Sequence, residues 1–189
     1  MSENSSIKDT LYSKINAIGQ ETIHKLLLEK KYSELFELIY TKALQSIHTK
    51  IEEVEKMGIL AESLTHYLFT EMLIPSQRKI SYENIELDMI IPNLVELKKN
   101  PDNSILIFFV KSSNNNIIKQ RIQAVKKIQE VDKNIWVISK DKINISQRVY
   151  KIEKESFSRF LDDIQNFTEL KNMNKLNHCY TYNFIFYTP

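Results

Sequence analysis

Glycine and cysteine are almost missing from this sequence. Among its 189 residues are two glycines (Gly19 and Gly58), four prolines and one cysteine, Cys179. So few chain breakers exclude long flexible linkers and predict a chain built mostly of regular helix and strand. One cysteine excludes an intramolecular disulfide and fits a reducing cytoplasm, the location expected here. No run of about 18 apolar residues occurs, so no membrane-spanning helix is expected. Residues 1–6 lack the basic and apolar stretches of a secretory leader, and none is expected. The four histidines (His24, His48, His66, His178) are scattered without the spacing of zinc ligands. Strong charge of one sign is absent too. A net charge of +2 does not by itself indicate a nucleic-acid partner, so any such contact must come from local clustering.

What is present is the mix of a soluble globular protein, 42% hydrophobic and 26% charged, long enough for one core and a small appendage. Ile7, Leu11, Ile15 and Ile18 recur at helical spacing until Gly19, and Leu26, Leu27, Leu35, Leu38, Ile39, Leu44 and Ile47 form a second stripe. Residues 1–50 therefore read as a helical arm that packs on something else or pairs with a second copy. A further helix over about 51–73 carries Val54, Met57, Ala61, Leu64 and Leu68 on its main stripe, with Glu62, His66, Phe69 and Leu73 on a separate face. Its spacing lets Glu62 and His66 hydrogen-bond along the helix, although a structural histidine is the commoner outcome.

From Lys79 to Leu97 the period changes to two. Residues 79–81 and 85–91 flank a polar turn at Glu83–Asn84, which predicts a hairpin, and 98–103 form a second turn. Residues 104–110 are continuously apolar, as befits a strand buried on both faces. A helix over 117–131 and a short buried strand over 134–138 follow, and the strand–helix–strand step predicts parallel strands. Residues 153–170 read as an amphipathic helix, and the tail 180–187 alternates like a final strand. The resulting division is a helical arm (1–50), an α/β domain (51–150) and a C-terminal helix-and-strand cap (151–189).

Three residues stand out by position: Glu62 on a helix, Asp88 inside a strand, and Lys111 ending the next strand. Strand interiors disfavour aspartate, and the alternation puts Glu86 on the same face as Asp88. A solvent-facing Asp and a surface Lys are the ordinary alternative. The run Gly58 to Glu62, then Glu86 to Ile91, then Ile105 to Ser113 resembles the PD-(D/E)XK, or restriction-endonuclease-like, nuclease superfamily, and within it the archaeal Holliday-junction-resolvase-like proteins. The resemblance covers about residues 50–140 and implies a core of helix, three-strand meander, helix and strand. By that resemblance Glu62 matches the helix glutamate, Asp88 the strand aspartate, and Lys111 the lysine of the Glu-x-Lys motif. Phe109 stands where the motif has its glutamate. Pro101–Asp102 spells the literal "PD" but falls in a turn.

The resemblance implies Mg²⁺ or Mn²⁺ held by Asp88 and Glu62, with Glu86 as substitute ligand and Lys111 assisting the attacking water. Its alternative is a catalytically inactive module for DNA binding or protein assembly, and an unrelated α/β interaction protein is a third option. DNA is the expected partner, contacted by Lys119, Arg121, Lys126, Lys127, Arg78 and Lys79. Related nucleases are often two-fold dimers, and the helical arm offers an interface.

Overall fold

The computed structural model describes the backbone of residues 3–183 and the side chains of residues 5–170. The chain begins with helices α1 (Glu3–Ile18) and α2 (Gln20–Leu28). Gly19 joins them at φ +84°, a left-handed value that glycine adopts without steric cost. Helix α3 (Tyr32–Leu35) runs through a π-helical segment, Phe36–Thr41, into α4 (Lys42–Ser46). Then follow α5 (Glu53–Glu71), β1 (Gln77–Tyr82), β2 (Ile85–Ile91), α6 (Leu94–Lys99), β3 (Ile105–Phe109), α7 (Asn115–Lys126), β4 (Ile135–Ser139), β5 (Arg148–Lys151) and α8 (Lys154–Asn183).

The five strands form one mixed sheet in the order β1-β2-β3-β4-β5. The first three are an antiparallel meander, while β3, β4 and β5 run parallel. The protein is thus α/β, and the expected order of helix, meander, helix and strand is present. As the crossover argument required, α7 links two parallel strands.

Alternation along β3 sorts the core into two layers. Ile105, Ile107 and Phe109 pack with Leu64, Phe69, Trp136 and Phe160 on the face covered by α5 and α8. Leu106 packs with Leu97 and Val125 on the other face, as Phe108 and Val110 do with Ile118 and Ile122, beneath α6 and α7. The N-terminal stripe enters the first of these layers. Ile7, Leu11, Ile23 and Ile39 are completely buried in the same cluster as the sheet residues. Of the two readings of the helical arm, packing against the rest of the chain is seen for these residues.

Three elements depart from the sequence reading. Residues 94–99 form α6 rather than strand and turn, because Pro92 cannot donate to a ladder and Asn93 caps the helix by accepting the Glu96 N–H at 2.9 Å. Strand β5 is only four residues long, too short to show a period. The strand expected over 180–187 is instead helix as far as Asn183, and residues 184–187 lie outside those described.

Candidate functional site

Helix α5 brings Gly58 and Glu62 one turn apart against the end of β3. A Cβ on Gly58 would lie 2.3 Å from the Val110 carbonyl oxygen and 2.9 Å from Lys111 Cγ. The bare glycine therefore lets helix and strand end approach closely enough for their side chains to meet. Lys111 Nζ lies 2.8 Å from Glu62 Oε2, and Glu62 is buried.

Asp88 reaches the same point from β2 because the alternation of both hairpin strands resets beside it. Ile85, Leu87 and Ile90 face α6 and α7, whereas Met89 and Ile91 face α5 and α8. Across the hairpin, Ile80 pairs with Leu87 and Arg78 with Met89, so Arg78 and Ile80 also lie on opposite faces. Lys79 between them sits at φ +52°. A distortion of this kind re-aims side chains next to a site. Asp88 Oδ2 accepts the Phe109 N–H at 2.9 Å, while Oδ1 lies 3.4 Å from Lys111 Nζ. Beyond Asp88 the carboxylate thus replaces a ladder hydrogen bond between β2 and β3.

The reset bears on Glu86. The two-residue period that would put it on the face of Asp88 does not hold through this stretch. Glu86 is exposed, and its contact with the cluster is its backbone carbonyl, which accepts from Arg121 Nη2 at 3.3 Å.

Two arginines complete the cluster. Arg121 on α7 lies 3.3 Å from Asp88 Oδ1 and stacks over the Phe108 ring, so it turns inward rather than lying on the surface expected for it. Arg78 on β1 lies 3.9 Å from Glu62 Oε1. That oxygen is buried without a hydrogen-bond partner, as is His66 Nδ1, so the hydrogen bond that their helical spacing allows is not formed through these atoms. Burial, reinforced by Arg78 and opposed by Glu62, holds His66 below the usual imidazole range. Lys8 of α1 is held below the usual lysine range chiefly by burial, with Lys79 and Arg78 adding to the effect and Glu62 opposing it.

The residues present do not fit Mg²⁺ or Mn²⁺ in this arrangement. Such ions require several oxygen ligands in near-octahedral geometry. Here Lys111's own ammonium lies between the two carboxylates, Arg121 shares Asp88 Oδ1, and the Phe109 ring is fully buried in the apolar layer. Among the described residues no three His, Cys, Asp or Glu side chains gather as a metal ion requires.

The other expected cations lie further out. Lys119 on α7 and Lys127, the residue that caps its C-terminus, are exposed, and Lys126 lies 2.8 Å from the Asp132 carboxylate. Lys79 is exposed on β1.

No protein-family model matches the chain, and no curated protein matches it significantly. Among solved structures, metal-depleted Ecl18kI in complex with uncleaved, modified DNA matches at 17% identity and a TM-score of 0.45, over 92% of this chain and 61% of its own. The chain thus spans about three fifths of the length of that one.

Proposed function

We propose that this chain is a nuclease-fold DNA-binding module in which an internal salt-bridge cluster occupies the position of a catalytic metal centre. The observation that carries the reading is the Lys111 ammonium between Glu62 and Asp88. The helix glutamate, strand aspartate and strand-end lysine converge as the superfamily resemblance implies, which supports the ancestry. Arg78 and Arg121 add two further positive charges to the same two carboxylates, which opposes entry of a dication. Phe109 supplies packing where a ligand would be needed.

DNA binding rests on exposed basic residues beyond this cluster. Lys119 on α7, Lys127 at its C-terminal cap and Lys79 on β1 are exposed, and neutralising phosphates with such groups is the usual source of sequence-independent affinity. No helix of the described residues is long and apolar enough to cross a membrane.

The test is a pair of measurements on the full chain. In a mobility-shift assay, duplex and branched DNA should bind equally with EDTA and with Mn²⁺. In parallel, neither substrate should be cut with Mg²⁺ or Mn²⁺. Metal-dependent cleavage abolished by Asp88→Ala would overturn the inactive reading in favour of a hydrolase. Absence of any DNA binding would overturn both.

A further inference from the structure

The two most exposed large apolar side chains among the described residues border one groove. Leu28 on α2 is 85% exposed and Leu73, just past α5, is 88% exposed. Between them lies a groove of about 390 Å³, with half-buried Leu27 and Met72 as its other apolar walls. His24 of α2 and Glu71 of α5 hydrogen-bond to each other at its border, and Gln165 of α8 accepts from the Tyr32 hydroxyl, so the polar borders are already engaged.

Leu73 is held there against backbone preference. Helix α5 ends in a Schellman motif, with the Ile74 N–H on the Phe69 carbonyl at 2.8 Å and the Leu73 N–H on that of Thr70 at 3.2 Å. The motif puts Leu73 at a left-handed φ of +53°, a position that glycine usually fills. A leucine here strains the backbone and also leaves an apolar side chain in water, and a partner that covers it offsets both costs.

The sequence holds a segment of matching chemistry. The chain is 26% charged, yet the eleven residues from Cys179 to Pro189 carry no charged side chain, and residues 184–187 read Phe-Ile-Phe-Tyr. The groove of the same copy is out of their reach. Gln165 borders that groove and α8 stays helical to Asn183, so the 18 residues from 165 to 183 carry the chain about 27 Å further along at ~1.5 Å per residue. Phe186, three residues on, returns at most about 10 Å of that distance.

We propose that residues 184–187 of one copy occupy this groove on a second copy, with Phe184 and Phe186 against Leu28 and Leu73. The exchange is reciprocal, so a pair of chains covers both grooves and closes on itself. This surface stands apart from the carboxylate and lysine cluster, and the inference does not depend on DNA binding.

Sedimentation velocity of the full chain over a concentration series tests it. The parent should dimerise. Leu28→Glu, Leu73→Glu and the tail pair Phe184→Ser with Phe186→Ser should each weaken dimerisation roughly tenfold or more, since each sets a polar group where apolar groups meet. Leu73→Gly, which suits the left-handed φ and so keeps the fold, should weaken it as well. Val95→Glu, at an exposed apolar position on α6, should leave dimerisation unchanged. A labelled peptide of residues 180–189 should bind the tail variant and fail to bind Leu28→Glu. A parent that stays monomeric throughout overturns the proposal. Dimers that survive Leu28→Glu and Leu73→Gly, or that are lost equally in Val95→Glu, overturn the choice of groove. Dimers lost in the groove variants but kept in the tail variant, with no peptide binding, overturn the choice of occupant.

Discussion

Lys111 Nζ stands 2.8 Å from Glu62 Oε2 and 3.4 Å from Asp88 Oδ1, so one ammonium ties a helix on one face of the sheet to the middle of β2. Both carboxylates are buried, whereas the lysine side chain keeps about a quarter of its exposure. Removing the lysine leaves two carboxylates with less compensation in a poorly solvated place, and loss of one partner of such a pair is much costlier than the pair is stabilising. Lys111→Ala should therefore lower unfolding stability by about 2–4 kcal/mol in urea denaturation. Combining it with Glu62→Gln should recover part of that loss, a coupling that a double-mutant cycle measures.

Gly58 sets the approach of α5 to β3. The Cβ of an alanine would sit 2.3 Å from a backbone carbonyl oxygen, which cannot rotate away as a side chain can. Gly58→Ala should cost about 1–3 kcal/mol despite the better helix propensity of alanine, and a lowered melting temperature checks it. Improved stability would show that the helix shifts freely on the strand.

Restoring the superfamily motif should not restore a metal site. The Phe109 side chain lies at 0% exposure in the layer beneath α5 and α8. Phe109→Glu would bury a carboxylate among apolar groups and leave a void, so a loss of about 3 kcal/mol or more is expected, with no gain in Mn²⁺ affinity by calorimetry.

His66 predicts a pH effect. Its folded-state pKa is depressed, chiefly by burial, so at mildly acidic pH the unfolded chain binds more protons at this residue than the folded one. The stability that neutral His66 secures is complete above its usual imidazole value of about 6.5 and declines as pH falls through that value toward the folded one. Melting temperatures between pH 7.5 and pH 5.5 should fall less steeply in His66→Gln than in the parent.

The exposed Lys119 and Lys127 should act through phosphates rather than bases. Lys119→Ala and Lys127→Ala should each weaken DNA binding about equally across sequences and reduce the salt dependence by roughly one unit of slope. A change in sequence preference without a change in slope would contradict this assignment.

The sequence by itself determined the α/β class and the order of most elements through local periodicity, and made Asp88 conspicuous inside a strand; that Glu62, Asp88 and Lys111 form one group was what the superfamily resemblance implied. A period can be read only while it lasts. Four-residue β5 was too short to show one, and residues 94–99 seemed to continue an alternation that Pro92 and the Asn93 cap end. Tertiary structure alone decided the rest of the site. The reset at Lys79 and Asp88 depends on two strands distorting together, and it separates Asp88 from Glu86 while turning Arg78 to Glu62. Arg121, read as a surface cation, turns in to Asp88 because α7 crosses the sheet beside it. Periodicity encodes which way a side chain faces its own element, but the partner it meets there depends on how separate elements are brought together.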